Sequence, residues 1–368
     1  MATILIANSY FYQLDSKQWK DGRPYPPLGT ILTAAVLRAA GHDVHVFDAC
    51  LRASPDELKP VLDRVRPTIL VIYDDGFNYL TKMCLTVMRD AAFRMIELGK
   101  IAGCKIAINS SDASDHASDY LNAGADCVVL GEGELTVKEL VERWETNAPF
   151  EDLSGICSLV NGKSISTPKR PVLRDLDSLP LPAWDLIDSA PYKEIWDRSQ
   201  GFFSLNMATT RGCPFKCNWC AKPIYGNRYN SRSPEHVVNE LQLLYASFAP
   251  DHIWFADDIF GLKPGWVQRF REVLNDRGIT IRYKIQSRAD LLLESDTIDA
   301  LVATGLEEVW IGAESGSQRI LDAMDKGTTV EQIAEATRLL KSKGVRVCFF
   351  LQFGYLGETQ EEVEQTIN

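Results

Sequence analysis

The sequence predicts an α/β protein of two domains, an N-terminal doubly wound parallel sheet followed by a partial parallel barrel. Three observations predict it. Short apolar runs alternate with helical periods through both halves, the pattern of strand and helix units that builds parallel sheets. The chain has 368 residues, beyond the roughly 250 to 300 at which a single core stops growing. Between the halves, Pro168, Pro171, Pro180, Pro182 and Pro191 break regular structure. Residues 151–200 therefore read as an extended interdomain linker between a domain over 1–150 and another over 201–368.

In the first half, strands are expected at Ile4–Ala7, Asp43–Phe47, Ile69–Tyr73, Lys105–Ile108 and Cys127–Leu130. Helices are expected at Ile31–Ala40, ended by Gly41, and at Pro55–Val65, Lys82–Gly99, Ala113–Ala123 and Leu135–Glu145. Ligands of such sheets bind outside the carboxyl ends of the strands. Those ends carry Asn8-Ser9-Tyr10, Tyr73-Asp74-Asp75-Gly76, Asn109-Ser110-Ser111 and Gly131-Glu132-Gly133-Glu134. Glycine and serine there allow close backbone approach; equally, the loops read as plain connectors, with the glutamates favoured by the dipole of the next helix. His42 and His45 sit at the start of a strand and read as surface or packing residues. Trp184 and Trp196 read as anchors of the linker.

In the second half, helices are expected at Pro234–Ala246, Pro264–Asp276, Asp296–Thr304 and Val330–Lys343. Strands are expected at His252–Ala256, Ile281–Ile285, Glu308–Ile311 and Arg346–Leu351. Functional residues of a parallel barrel lie at the strand carboxyl ends. These carry Asp257-Asp258, Gln286-Ser287-Arg288-Ala289-Asp290, Gly312-Ala313-Glu314-Ser315-Gly316-Ser317 and Gly354-Tyr355-Leu356-Gly357-Glu358. The aspartates also read as caps, and Arg288 with Asp290 as an ordinary ion pair. An acidic residue in Ala313-Glu314-Ser315-Gly316 is hard to explain as packing.

A formal net charge of −11 and a pI near 5.1 argue against a general nucleic-acid or membrane-surface binder. No stretch interleaves basic and aromatic residues as an RNA site does. Of nine cysteines, Cys50, Cys84, Cys104, Cys127, Cys157 and Cys348 are scattered mostly through apolar runs, the usage of a reducing compartment. The N-terminus lacks a basic region and a cleavable apolar stretch, and no apolar run is long enough to span a bilayer. A cytoplasmic location is expected.

The remaining three cysteines stand together in Cys213-Pro214-Phe215-Lys216-Cys217-Asn218-Trp219-Cys220, entered through the turn Arg211-Gly212. Thiolates at this spacing can converge on one metal centre. A four-iron cluster held wholly by protein uses four cysteines, so three leave one iron open to a small molecule. Structural zinc is an alternative, but it needs four ligands and the nearby His236 and His252 form no pair. Inert core cysteines are another, opposed by Pro214, Lys216 and Asn218.

With Trp219 before the last cysteine, Ala208-Thr209-Thr210-Arg211-Gly212 ahead of it and Tyr229-Asn230-Ser231-Arg232-Ser233-Pro234-Glu235 behind it, this loop resembles the signature of radical S-adenosylmethionine (SAM) enzymes. The resemblance implies a [4Fe-4S] cluster on Cys213, Cys217 and Cys220, with SAM chelating the open iron and cleaved reductively to methionine and a 5′-deoxyadenosyl radical. It implies a TIM-like (β/α)6 partial barrel with SAM across its strand ends, and an electron donor such as flavodoxin or ferredoxin. Glu314 would then take the ribose hydroxyls, Arg288 the methionyl carboxylate and Gly354 the adenine, with Trp219, Asp257, Asp258 and Ser315 completing the SAM site.

Residues 1–150 resemble the cobalamin-binding domain that precedes many radical SAM domains. The carriers are Pro26-Pro27-Leu28-Gly29, Gly41-His42-Asp43-Val44 and Val128-Val129-Leu130-Gly131-Glu132-Gly133-Glu134. The implied cobalamin site is Ser9, Leu28, Tyr73, Asp74, Asp75, Ser110, Ser111, Gly131, Glu132 and Gly133. Two departures stand out. The Asp-x-His-x-x-Gly motif that ligates cobalt elsewhere is replaced by Tyr73-Asp74-Asp75-Gly76-Phe77, which puts Tyr73 or Asp74 under the metal; and Asn109-Ser110-Ser111 replaces the usual glycine pair.

The leading expectation is a cobalamin-dependent radical SAM methyltransferase that methylates an unactivated carbon of a small molecule, lipid or peptide. A cobalamin-dependent cyclase or rearrangement enzyme without methyl transfer is the second reading, and a non-catalytic corrin or cluster sensor the third. No nucleic-acid partner is expected. The run Glu358 to Asn368 reads as the start of a helix after the fifth barrel strand, so a truncated piece of a longer, six-stranded polypeptide is expected.

Overall fold

The computed structural model describes residues 1–78, 85–221 and 224–368. It divides into two compact units, Met1–Leu173 with Ser178–Phe203 and Arg174–Asp177 with Ser204–Asn368. Both are α/β with parallel sheets, as the alternation predicts.

In the first unit, β1 (Thr3–Ala7), β2 (Asp43–Phe47), β3 (Ile69–Tyr73), β4 (Lys105–Asn109) and β5 (Cys127–Val129) pair in parallel in the order β2-β1-β3-β4-β5. The strand order reverses at β1, which opens a crevice at its carboxyl end. Ile69-Leu70-Val71-Ile72-Tyr73 is buried throughout, because helices cover both faces and leave no side for polar residues. One core layer gathers Ile4, Ile6, Leu37, Val71, Val129, Val137, Leu140 and Trp144. The helix Leu28–Ala39 starts earlier than the apolar period suggested, directly after Pro27, and is buried from Leu28 to Leu37. The helix predicted over Ala113–Ala123 is two, Ser111–Asp115 and Ala117–Asn122, broken where His116 leaves helical geometry. The helix predicted from Lys82 is seen as Thr86–Ile101; Lys82 and Cys84 lie outside the described residues.

Residues 151–200 are not a linker. β6 (Ile156–Val160) and β7 (Lys163–Ser166) form an antiparallel hairpin that extends the sheet from β5. Its turn is Asn161-Gly162, both at positive φ, a strong local hairpin signal that the surrounding prolines obscured. Pro191 starts rather than breaks the helix Ala190–Gln200. Trp184 and Trp196 are 2% exposed, and Trp196 Nε1 donates to the Pro24 carbonyl at 2.7 Å. Arg38 forks onto Asp185 at 2.6 and 2.9 Å. Apart from Arg174–Asp177, the segment is folded into the first unit.

In the second unit, β8 (Ser204–Met207), β11 (His252–Phe255), β12 (Tyr283–Ser287), β13 (Leu306–Glu314) and β14 (Arg346–Leu351) pair in parallel in chain order. The helices Pro234–Phe248, Trp266–Asp276, Thr297–Ala303 and Val330–Ser342 alternate with them. A short antiparallel pair, β9 (Thr210–Arg211) with β10 (Asn230–Ser231), and the helix Gln318–Ala323 were not foreseen. Both are too short for periodicity to reveal.

Candidate active site

The cysteine loop is held at its neck by β9 and β10, where Arg211 faces Asn230 and Thr210 faces Ser231. Gly212 opens the loop at φ 77°, and a Cβ there would stand 2.2 Å from the Arg228 carbonyl oxygen. Cys213 and Cys217 are half-buried, Cys220 is exposed, and none is in a disulfide. The Cys220 amide donates to the Cys217 carbonyl at 3.2 Å, which puts these two thiols on one turn. Trp219 is 41% exposed. The far side of the loop is tied down: Asn218 donates from its amide to the Met324 carbonyl at 3.1 Å and from Nδ2 to the Ala323 carbonyl at 2.7 Å. Tyr355 Oη lies 2.8 Å from Asn218 Oδ1. Among the described residues no three His, Cys, Asp or Glu side chains are already drawn together around a metal position. The donor set is nonetheless three soft thiols on one short loop anchored at both ends, which fits an iron–sulfur cluster.

Asp257 follows β11, and its carboxylate is turned onto the residues that follow β8. Its carboxylate accepts from the Thr209 amide at 2.7 Å, the Thr210 amide at 2.8 Å and the Thr209 hydroxyl at 2.6 Å. Expected as a SAM contact, it is instead a buttress of the strand that feeds the loop. Burial raises its pKa to about 6, against the lowering effect of the Thr209 and Thr210 hydrogen bonds. Asp258 beside it is exposed.

Arg288 follows β12 and is 3% exposed. Its guanidinium stands 3.6 Å from the ring centre of Phe215 in the cysteine loop. Nε and Nη2 donate to Asp290 at 3.0 and 3.2 Å, and Nη2 also reaches the Gly327 carbonyl at 3.4 Å. Among the described residues, Nη1 is buried without a hydrogen-bond partner, as is Thr328 Oγ1. Glu314, at the end of β13, is 4% exposed and accepts from Lys326 Nζ at 2.8 Å. Its backbone lies at φ 63°, uncommon outside glycine and asparagine and typical of functional positions.

The structure thus brings Arg288 and the cysteine loop together directly, and links Arg288 to Glu314 through Lys326-Gly327. A buried guanidinium, linked through Lys326-Gly327 to a buried carboxylate, fits SAM, which carries both a carboxylate and vicinal hydroxyls. Ser315 is not part of this arrangement: its hydroxyl lies 3.1 Å from Thr366 Oγ1 and accepts from the Ser317 amide. Gly354 is exposed at φ 79°, its amide donating to Glu358 Oε2. Lys326 and Phe215 were missed, because a lysine in Asp325-Lys326-Gly327 reads as a solvated turn.

Of the residues expected to seat a corrin, Ser9, Tyr73, Asp74, Asp75, Ser110, Ser111, Gly131, Glu132 and Gly133 lie at or just after strand carboxyl ends, whereas Leu28 begins the helix Leu28–Ala39. Asp74 accepts from the Ser9 amide at 2.6 Å and from its hydroxyl at 2.8 Å. Burial lifts the Asp74 pKa to about 6, against those bonds. Asp75 accepts from the amides of Gly29 and Phe77 at 3.3 and 2.9 Å. Ser110 caps the helix Ser111–Asp115, and Glu132 accepts from the Leu173 amide at 2.6 Å. Leu28 and Ser111 are buried. Tyr73 is a core residue whose hydroxyl accepts from the Gly133 amide at 3.2 Å, so its position as a group under a metal is corrected to packing. A Cβ on Gly133 would stand 2.9 Å from both Asn109 Nδ2 and the Tyr73 ring. Among the described residues, Asp74 at the end of β3 is engaged by Ser9 and Asp75 by Gly29 and Phe77.

The model of the radical SAM superfamily matches residues 207–368. An uncharacterized methyltransferase of Pyrococcus horikoshii is 33% identical over 352 residues, covering 94% of this chain and 73% of that protein. A hopanoid C-3 methylase of Methylococcus capsulatus is 27% identical over 88% of this chain and 60% of its own length. An anaerobic magnesium-protoporphyrin IX monomethyl ester cyclase of Rubrivivax gelatinosus is 30% identical over 66% of this chain and 44% of its own. Among solved structures, the fold matches the cobalamin-dependent SAM radical enzyme OxsB with a TM-score of 0.80 at 21% identity, over 100% of this chain and 51% of that one. It matches the radical SAM methyltransferase TsrM from Kitasatospora setae with a TM-score of 0.79 at 18% identity, over 100% of this chain and 70% of that one. The cysteine loop, the strand-end residues of the second unit and the relationship to the Pyrococcus protein together make this chain a member of the radical SAM superfamily, an enzyme whose cofactors are SAM and a [4Fe-4S] cluster.

Proposed function

We propose that the protein is a cobalamin-dependent radical SAM methyltransferase acting on an unactivated carbon of a small molecule, lipid or peptide. The observation that carries this reading is Arg288, buried with Nη1 unused among the described residues, 3.6 Å from the ring centre of Phe215 between two of the loop's cysteines. When bound, the cluster supplies the electron for SAM cleavage and cobalamin the methyl carrier. Cys213, Cys217 and Cys220 would hold the cluster; Arg288 Nη1 would take the SAM carboxylate and Glu314 the ribose hydroxyls. Asp257 keeps Thr209 and Thr210 in place behind the loop. Ser9, Asp74, Asp75, Gly131 and Gly133 would seat the corrin. The five strands of the second unit are read as part of a six-stranded partial barrel, and a flavodoxin or ferredoxin as the electron donor.

The methylase names among the relatives support methyl transfer, and the cyclase names keep a cobalamin-dependent reaction without it as the second reading. The test is anaerobic reconstitution of the protein with iron, sulfide and hydroxocobalamin, followed by dithionite reduction with SAM. Retained cobalt with both 5′-deoxyadenosine and S-adenosylhomocysteine is the expected result. Cobalt with deoxyadenosine alone favours the cyclase type, and deoxyadenosine without retained cobalt overturns the cobalamin reading.

A further inference from the structure

Three features of the second unit converge on one buried lysine. Lys326 and Glu314 form an ion pair with side chains 6% and 5% exposed. Gly312, two residues before Glu314, has no side chain where the pair lies: a Cβ would stand 2.7 Å from Lys326 Nζ and 3.0 Å from Glu314 Oε1. The register between β13 and β14 shifts between Gly312 and Glu314, and Glu314 takes φ 63°. A vacant Cβ position, a strand irregularity and a left-handed glutamate thus all serve one contact.

Stability does not explain it. A buried ion pair seldom stabilises more than an apolar replacement, because desolvation offsets the attraction. What such a pair does provide is a carboxylate of fixed direction. Its bond to Lys326 uses Oε1, and among the described residues no hydrogen bond engages Oε2, the atom that would meet a ligand. The residue after Lys326 accepts from Arg288 through its carbonyl at 3.4 Å, so the same short segment braces both strand-end groups.

We propose that Lys326 is the positioning residue of Glu314, holding that carboxylate in the orientation that accepts from the ribose hydroxyls of SAM. The inference rests on the reading of Glu314 as the ribose partner. Lys326 itself does not touch the nucleoside in this arrangement; it acts through Glu314.

The experiment is a binding measurement on the full-length, cluster-loaded protein, by anaerobic equilibrium dialysis with SAM and with its 2′-deoxy analogue. The wild type is expected to prefer SAM by about tenfold, the size of one hydrogen bond to a charged group. K326M is expected to lose that preference while keeping its iron, and K326R to restore part of it. G312A, which displaces the pair without removing either charge, should lose it as well and reads the same difference if K326M does not fold. A merely structural lysine would weaken both ligands alike and leave the preference intact, which overturns the proposal. A wild type that binds SAM without preferring it over the analogue removes the ribose role of Glu314 and the proposal with it; a wild type that prefers SAM, matched by both variants, removes only the role of Lys326.

Discussion

The carboxylate of Asp257 is bonded twice to Thr209, at 2.7 Å to the amide and 2.6 Å to the hydroxyl, and so fixes the strand that leads into the cysteine loop. A third bond, from the Thr210 amide, completes the set. Removing this acceptor strands two buried N–H groups, each costing about 1 to 3 kcal/mol. D257A is expected to lower both the thermal midpoint and the iron retained per chain. D257N should keep most of both, because its Oδ1 accepts from the amides while Nδ2 donates to the Thr209 hydroxyl.

The same carboxyl has a pKa raised to about 6 by burial. The folded state therefore favours the protonated form, and the stabilisation this brings is full below the unfolded pKa and lost as the pH rises through about 6. D257N escapes that loss. Its unfolding midpoint relative to wild type should rise between pH 5 and pH 8, and a difference that does not change with pH would refute the assignment.

Gly212 allows no side chain, because its φ is 77° and a Cβ would meet the Arg228 carbonyl. G212A is expected to abolish cluster loading, read as the visible absorbance and iron content of the reconstituted protein. Gly226, at φ 64° with nothing within 4 Å of a Cβ, is the control. G226A should cost only the left-handed backbone term, roughly 1 to 2 kcal/mol.

Arg288 carries a stack on Phe215 and a fork on Asp290 that a lysine cannot reproduce. R288K should weaken SAM binding by about 10- to 100-fold, the loss of a charge-assisted hydrogen bond. Iron content should stay near wild type, since the cysteines are untouched. Dialysis against SAM and an iron assay on the same sample separate the two effects.

His252 is buried, with Nδ1 2.9 Å from Ser204 Oγ, and burial lowers its pKa to about 3, with Lys284, Arg282 and Arg346 adding to the shift. It stays neutral in the folded protein while the unfolded chain takes up a proton. Its contribution to stability is thus present above the unfolded pKa and lost progressively as the pH falls from about 6.5 toward 3. Wild type should lose about 2 kcal/mol more than H252Q between pH 6.5 and pH 5, measured by denaturant titration at each pH.

Local features were legible in the sequence because their causes are local. The strands Asp43–Phe47, Ile69–Tyr73 and Arg346–Leu351 were read with their observed bounds, since a short apolar or alternating run between turns identifies itself. The spacing of Cys213, Cys217 and Cys220 pointed to a shared metal centre, and the residues flanking them carried the resemblance that named it. The hairpin around Asn161-Gly162 was also written locally, but five prolines nearby argued the other way, and Pro191 proved to start a helix.

Polar partnerships were decided by the tertiary structure. Asp257 looked like a ligand contact, yet Thr209, 48 residues earlier, claims its carboxylate because β8 and β11 are neighbours. Tyr73 looked like a group under a metal, yet the chain packs its ring into the core beside Gly133. Lys326 drew no reading from the sequence, yet it lies buried against Glu314 in the volume that Gly312 leaves open. A side chain's periodicity tells which face it occupies; the group it meets there depends on strands that only folding brings side by side.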